Sequence, residues 1–298
     1  KWYKTKDLIT VGFALFAMFF GAGNMIIPPY IGLQVGDGWN SAVLGFGLSG
    51  IGLPLLGIIA MAKNKGSLEL FAGKISRGFS VLLGTLVILC IGPMLAIPRT
   101  AATTYEVGVK HIFPGISPII SSIIFFLLTL YFSISKSKVI DILGNILTPI
   151  LLLMLGVIII QGIWHPIGEI VVTEVREPFG KSFIEGYQTM DALASIVFAG
   201  IIINSLKSKG YTKSDHQIKL AIFAGIIAAV GLFLVYGGLM YLGATASSLY
   251  PNSIDRAVLL IDITDSLMGP IGKISLGIAV ALACLTTAVG LTAATGNF

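Results

Sequence analysis

Phe19-Phe20-Gly21-Ala22-Gly23-Asn24-Met25-Ile26-Ile27-Pro28-Pro29 lies inside the first long apolar run of the chain and fits it poorly. A membrane-spanning helix closes its backbone hydrogen bonds internally, whereas two glycines, an asparagine and a proline pair invite this one to open near mid-bilayer. Non-helical backbone at that depth is tolerated only against protein or a water-filled cavity. The stretch is therefore one half of a candidate transport site.

The composition around it calls for a membrane. Of 298 residues, 55% are hydrophobic and 11% charged, with a mean hydropathy of +0.94. Soluble domains carry roughly 25% charged residues. Apolar runs of roughly 18 to 28 residues recur without the alternation of barrel strands, so the fold class is all-α integral membrane, with the lipid bilayer as partner. The net charge of +5 does not point to nucleic acid, because the basic residues form short clusters between apolar runs rather than an aromatic-interleaved surface. Cys90 and Cys284 fall in apolar helical sequence and read as packing residues; His111, His165 and His216 are scattered over loops. No cofactor, disulfide framework or metal site other than one for a coupling ion is implied. Nothing in the sequence specifies an oligomer.

Eight spans are expected, at about 8–33, 41–62, 79–107, 118–135, 140–162, 182–206, 218–246 and from about 270 onward. Trp164 to Lys181 reads as a polar loop, and the segment before the eighth span as a loop with its own apolar turn at Ala257 to Ile261. Residues 1–7, 63–78, 134–141 and 206–219, which include Lys1, Lys136 and Lys138, hold 13 of the 19 lysines and arginines. The positive-inside rule places these regions and the N-terminus in the cytoplasm, and Trp39, Trp164 and Tyr250 then fall near the opposite interface. The eighth span reaches Asn297-Phe298 without a basic flank or polar tail, so the natural chain is expected to continue.

A second interruption lies in the sixth span, Glu185-Gly186-Tyr187-Gln188-Thr189-Met190-Asp191-Ala192-Leu193-Ala194-Ser195. An aspartate at the bilayer centre costs about 2.5–3.5 kcal/mol even on lenient insertion scales, which makes Asp191 a functional candidate by default. The alternative is a helix that begins at Ala192 with Asp191 merely interfacial. The first and sixth spans enter from opposite sides, five spans apart, and matching breaks in two oppositely oriented halves point to a transporter site. A half-helix N-terminus attracts a carboxylate and a half-helix C-terminus attracts Na+ or an ammonium group, so a zwitterionic amino acid suits the pair. The third element is Ala283-Cys284-Leu285-Thr286-Thr287-Ala288, whose adjacent hydroxyls could join main-chain carbonyls in an all-oxygen cation site. Threonines in membrane helices also commonly bond their own i−4 carbonyl.

Three stretches, Phe19 to Asn24 with Pro28-Pro29, Ala96-Ile97-Pro98-Arg99-Thr100, and Gly186 to Leu193, resemble the bacterial branched-chain amino acid:cation symporters of the BrnQ type, the LIVCS family. The resemblance implies Na+-coupled import of leucine, isoleucine and valine across the bacterial inner (plasma) membrane, and the 5+5 inverted-repeat architecture of the leucine transporter LeuT within the APC superfamily. Residues 1–163 would form the first repeat and 182–298 an incomplete second one in a single domain, truncated after about eight of ten core helices. Carried over residue by residue, it implies substrate contacts at Phe19, Gly21, Ala22, Gly23, Gln188, Thr189, Asp191 and Ser195. The Gly21 and Gly23 amides would meet the carboxylate. The Na+ ligands implied are Ala17, Phe20, Asn24, Thr189, Ala283, Thr286 and Thr287. The chain departs from the leucine transporter in two ways: Asp191 replaces a small hydroxyl residue, and the middle of the third helix lacks a tyrosine. Asp191 is thus left with two roles, binding the amine or carrying H+. Arg99 is either an outer-gate residue or a snorkelling, structural arginine. Rival functions are the same scaffold with another amino acid or solute, proton-coupled, and a channel, although the repeated pore motif or charge ring of a channel is absent from the sequence. An intramembrane enzyme would need a nucleophile or metal constellation that does not accompany Asp191, so no enzymatic activity is expected.

Overall fold

The computed structural model describes residues 4–134 and 139–296. Lys1, Lys136, Lys138, Asn297 and Phe298 lie outside the described residues. The described residues are helical apart from short connections and one longer irregular stretch, 165–177. In chain order the helices are α1 (Thr5–Phe19), α2 (Ala22–Val35), α3 (Trp39–Gly47), α4 (Leu53–Lys63), α5 (Leu68–Ala72), α6 (Arg77–Leu89), α7 (Ala96–Thr103), α8 (Lys110–Ile112), α9 (Pro118–Ile134), α10 (Val139–Ile142), α11 (Thr148–Trp164), α12 (Pro178–Tyr187), α13 (Asp191–Ser208), α14 (Ser214–Thr245) and α15 (Arg256–Thr295). Six apolar helical stretches among the described residues are long enough to cross a bilayer: 22–63, 77–112, 139–164, 191–208, 214–245 and 256–295. The apolar α9 is shorter, at 17 residues or about 25 Å. Its outward side chains are bare, Ile119 and Tyr131 both 72% exposed, as a surface meeting lipid should be. This is an integral, multi-pass membrane protein.

The helices break where glycine, proline and polar side chains remove the reason to continue. The first expected span is two helices, α1 and α2, parted at Phe20-Gly21. Pro28 and Pro29 lie inside α2 rather than at that break. The third span is interrupted at Gly92-Pro93, where Gly92 leaves helical geometry, and resumes at Ala96. The sixth is split into α12 and α13. The expected loop with an apolar turn at Ala257 to Ile261 is instead the first turns of α15, because the Asp255 carboxylate caps them by accepting from the Ala257 and Val258 N–H groups at 2.8 and 3.1 Å. The boundary expected near 270 is a kink in that helix, at Gly269 with φ +59° followed by Pro270.

Packing puts both halves of the first span at the centre. α1 and α2 lie against α14 and α15, α12 and α13 lie against α3 and α4, and α15 also packs on α9, α11 and residues 104–109. At the α2–α14 crossing, Gly32 faces the Met240 carbonyl and Gly243 faces the Pro29 carbonyl so closely that neither position has room for a Cβ. Small residues at such crossings let backbones approach when lipid and protein interior are equally apolar. The result seats α2 firmly against α14, which carries Tyr236 into the core, 1% exposed.

Candidate substrate and ion site

At the first break the polar groups on offer are main-chain atoms. Phe20 and Gly21 are non-helical, and Gly21 is extended, at φ −104° and ψ −165°. Any residue can adopt that conformation, so glycine serves here for space: a Cβ would stand 3.0 Å from the Thr287 hydroxyl oxygen. The Gly21 N–H, expected to meet a carboxylate, is already donated to the Phe19 carbonyl at 2.9 Å. The available donors are instead those of the first turn of α2, which no side chain caps.

The second break is made with side chains. Tyr187 ends α12, and the chain turns through Gln188, Thr189 and Met190 before α13 starts at Asp191. Met190 has φ +65°, in the left-handed region that disfavours L residues by about 1–2 kcal/mol. The helix thus restarts one residue ahead of the Ala192 start considered above, and Asp191 is buried within the protein: it is 6% exposed and accepts from the side-chain amide of Asn24 on α2. The same amide donates to the Tyr236 hydroxyl on α14. Tyr236 in turn stacks on Phe20, with ring centroids 6.0 Å apart, and meets Phe46 edge-on at 4.9 Å. One asparagine therefore ties together both breaks and a third helix, in surroundings where an unmade hydrogen bond is expensive.

A cavity of about 30 Å³ lies between these breaks, room for about one water and far below the ~300–1,000 Å³ usual for small-molecule sites, so the breaks are nearly closed on one another in this conformation. The first span lines it with Met18, Phe19, Gly21, Ala22 and Asn24, and the sixth with Thr189, Met190, Asp191, Ala194 and Phe198. The third span adds Ile91, Ala96, Arg99 and Thr100, and α15 adds Thr287 and Leu291. Its lining combines one carboxylate and one guanidinium, Asp191 and Arg99, with the apolar side chains of Ile91, Ala194, Phe198 and Leu291, the kinds of group that a zwitterion with an apolar side chain would meet.

Beside the cavity, oxygens converge where α1 ends against α15. The Thr286 hydroxyl lies 3.0 Å from both the Ala17 and Ala283 carbonyls, and the Thr287 hydroxyl lies 3.2 and 3.1 Å from the Ala17 and Met18 carbonyls. These oxygens are of the hard, neutral kind that coordinates alkali and alkaline-earth cations. Both ends of the broken helices are also fastened by charge. Arg256 forks onto Glu185 with two 3.1 Å bonds and lies 4.9 Å over the Tyr30 ring. At the other end Lys209 sits 2.6 Å from Asp141 and 3.8 Å from Asp7, and the Tyr211 hydroxyl donates to Asp7 at 2.9 Å.

Of the residues expected at the site, the cavity gathers Phe19, Gly21, Ala22, Asn24, Thr189, Asp191, Thr287 and Arg99. Ala17, Ala283, Thr286 and Thr287 meet in the neighbouring oxygen cluster. Gly23 lies just behind the lining, against Arg99. Phe20 contributes a ring to the aromatic stack. Gln188 and Ser195 are not in the lining. Gln188 is exposed on the turn. Ser195 bonds the Ala192 carbonyl at 2.7 Å and faces Gly57 of α4, because the stripe of α13 turned to the cavity is 191, 194 and 198. Tyr236, Met18 and the cavity-lining residues of the third span other than Arg99 were not anticipated. Tyr236 is one of two tyrosines in that apolar span, with Tyr241, and its hydroxyl was the available signal for the first, since a buried hydroxyl needs a partner.

Residues 4–298 match the family model described as branched-chain amino acid transport protein. The chain belongs to that family. It is 43% identical over 98% of its length to the branched-chain amino acid permease BraB of Bacillus subtilis, of which the match covers 67%. It is 42% identical, again over 98% of its length, to a Staphylococcus aureus protein assigned as a branched-chain amino acid carrier, of which 70% is covered. A Staphylococcus saprophyticus protein with the same assignment is 40% identical, with 69% covered. The chain thus spans about two thirds of the length of these relatives, which are amino acid permeases and carriers.

Proposed function

We propose that this protein is a secondary transporter that imports leucine, isoleucine and valine across the bacterial plasma membrane, coupled to Na+ and working by alternating access from a cytoplasmic N-terminus. The observation that carries the proposal is the junction of both helix breaks at one cavity, with Asn24 bonded to Asp191, in a chain whose family transports branched-chain amino acids. In this reading the scaffold is of the LeuT-like 5+5 kind described for the BrnQ type, with residues 1–163 and 182–298 as its repeats.

The amino acid bridges the breaks, its ammonium on Asp191 and Thr189 and its carboxylate toward the first turn of α2. Its side chain lies against Phe198 and Leu291. A pocket of this kind separates single methylenes by only about 1–3 kcal/mol, so all three branched-chain substrates are accepted. Na+ binds among the carbonyls of Ala17, Met18 and Ala283 and the hydroxyls of Thr286 and Thr287, holding the end of α1 against α15. Ion and substrate then favour the same access state, which is what coupling requires. Alternation of the Arg256–Glu185 and Lys209–Asp141 fastenings opens one end at a time.

Uptake of labelled leucine into proteoliposomes, with an inward Na+ gradient or with choline in its place, tests this directly. Gradient-driven accumulation that vanishes in choline is the expected result, and equal uptake in both overturns Na+ coupling. A second reading is favoured by Asp191 itself, the one carboxylate lining the cavity, which suits proton coupling. Accumulation driven by an inward pH gradient in choline would select it.

A further inference from the structure

Arg99 sits one turn into α7, the helix that restarts at Ala96 after the Gly92-Pro93 break. It lines the central cavity, and its Nε is sealed from solvent with no hydrogen-bond partner. No carboxylate among the described residues lies within 4.0 Å of its guanidinium, although four other ion pairs are formed. A cation at membrane depth is ordinarily paired or carried to the interface by its flexible stem. Arg99 does neither. It points inward to the broken first span, where one guanidinium nitrogen leaves only 3.2 Å for a Cβ at Gly23. Asp191, in the same cavity, is bonded to Asn24 instead.

A guanidinium presents a planar fork of donors that matches a carboxylate and cannot be switched off by deprotonation. The first-turn N–H groups of α2 beside it carry the positive end of a helix dipole and no side-chain cap. Both features call for an anion, and among the described residues the carboxylate in the same cavity, Asp191, is bonded to Asn24 and forms no ion pair with Arg99. We infer that Arg99 binds the α-carboxylate of the transported amino acid, forming with the start of α2 the anionic-group subsite that complements Asp191. The inference rests on the transport reading above and adds a requirement to it: a substrate must carry both charges. Arg99 is then a specificity-determining residue rather than a gate. The glycine at position 23 is explained as the space its fork occupies.

The test is competition against labelled leucine in proteoliposomes by valine and by leucinol, which keeps the amine and side chain but lacks the carboxylate. In the wild type, leucinol should need at least about 30-fold more than valine for half-inhibition, the loss expected when one partner of a desolvated charge pair is removed. In Arg99→Gln, half-saturation by leucine should rise by at least about 30-fold while leucinol inhibition is nearly unchanged, and Arg99→Lys should recover part of the difference. Leucinol competing as well as valine in the wild type overturns the inference without any variant having to fold. So does a monodisperse Arg99→Gln protein that still discriminates like the wild type. Absence of leucine uptake by the wild type is a separate result, seen before any analogue is added, and removes the transport reading together with this one.

Discussion

The two helix breaks reach the same cavity by opposite means. The first offers mainly backbone as its polar groups: the carbonyls of Ala17 and Met18 on one side and the first turn of α2, which has no side-chain cap, on the other. The second uses a strained Met190 to aim side chains, Thr189 and Asp191, at that backbone. Backbone at a break suits a fixed, neutral ion site, because main-chain dipoles neither titrate nor change rotamer. A carboxylate suits the group that must distinguish loaded from empty, because its charge is large and its partner can be exchanged. In the proposed reading the ion goes to the first break and the amine to the second, and the two assignments can be separated by mutation.

Asp191→Asn makes the largest demand on this division. An asparagine can still accept from Asn24, so the variant removes charge and little geometry. Leucine uptake should fall by about 100-fold with the protein still correctly inserted, as removal of one member of a buried charge pair implies. Wild-type uptake at equal surface expression would mean that the second break is merely structural. The double variant Thr286→Ala with Thr287→Ala should act on the first break alone. It should raise the half-saturating Na+ concentration roughly tenfold, because two oxygens that complete the carbonyl cluster are lost, while leaving discrimination between valine and leucinol intact. An unchanged Na+ dependence of uptake would take the ion away from α1 and α15.

How much of this was readable beforehand follows the same contrast. Gly21-Ala22-Gly23-Asn24 and Asp191 announce themselves because glycine and acid are out of place in apolar spans, and Thr286-Thr287 because paired hydroxyls are. What could not be read is whatever depends on rotation and tertiary contact. Whether position 194 or 195 faces the cavity is a matter of 100° about α13, decided by the fit of Ser195 against Gly57. Tyr236 joins the site only because glycine-to-carbonyl contacts draw α14 onto α2. The start of α15 was hidden for a local reason: Gly269-Pro270 looks like a boundary, and the Asp255 cap well before it shows that helix lies on both sides of it.

Tyr236→Phe probes the bond that joins the breaks to α14. It removes the acceptor for one Asn24 N–H and keeps the ring in its stack on Phe20. The cost should be about 1–2 kcal/mol of stability, within the range for leaving a buried donor unpaired, read as a lowered melting temperature in detergent. Leucine affinity should weaken more than Na+ affinity, since the disturbed amide is the one that holds Asp191. If Na+ affinity falls equally, the two breaks are not separable as argued.

The smallest effect is expected at Met190. Its φ of +65° is strained for methionine and unstrained for glycine, so Met190→Gly should relieve about 1–2 kcal/mol in the folded protein. Against this stands the greater freedom of glycine in the unfolded chain, about 0.5–1 kcal/mol. A net gain of up to about 1 kcal/mol, or a rise of roughly 2–4 °C in melting temperature, is the expected outcome. The functional consequence should have the opposite sign. If the strained turn aims Asp191 at Asn24, a glycine that tolerates many conformations lets the carboxylate wander, and leucine should bind more weakly in a protein that melts higher. A variant that gains stability and keeps wild-type affinity would show that Asn24 and Tyr236 alone hold Asp191 in place, and that the left-handed turn serves only to redirect the chain.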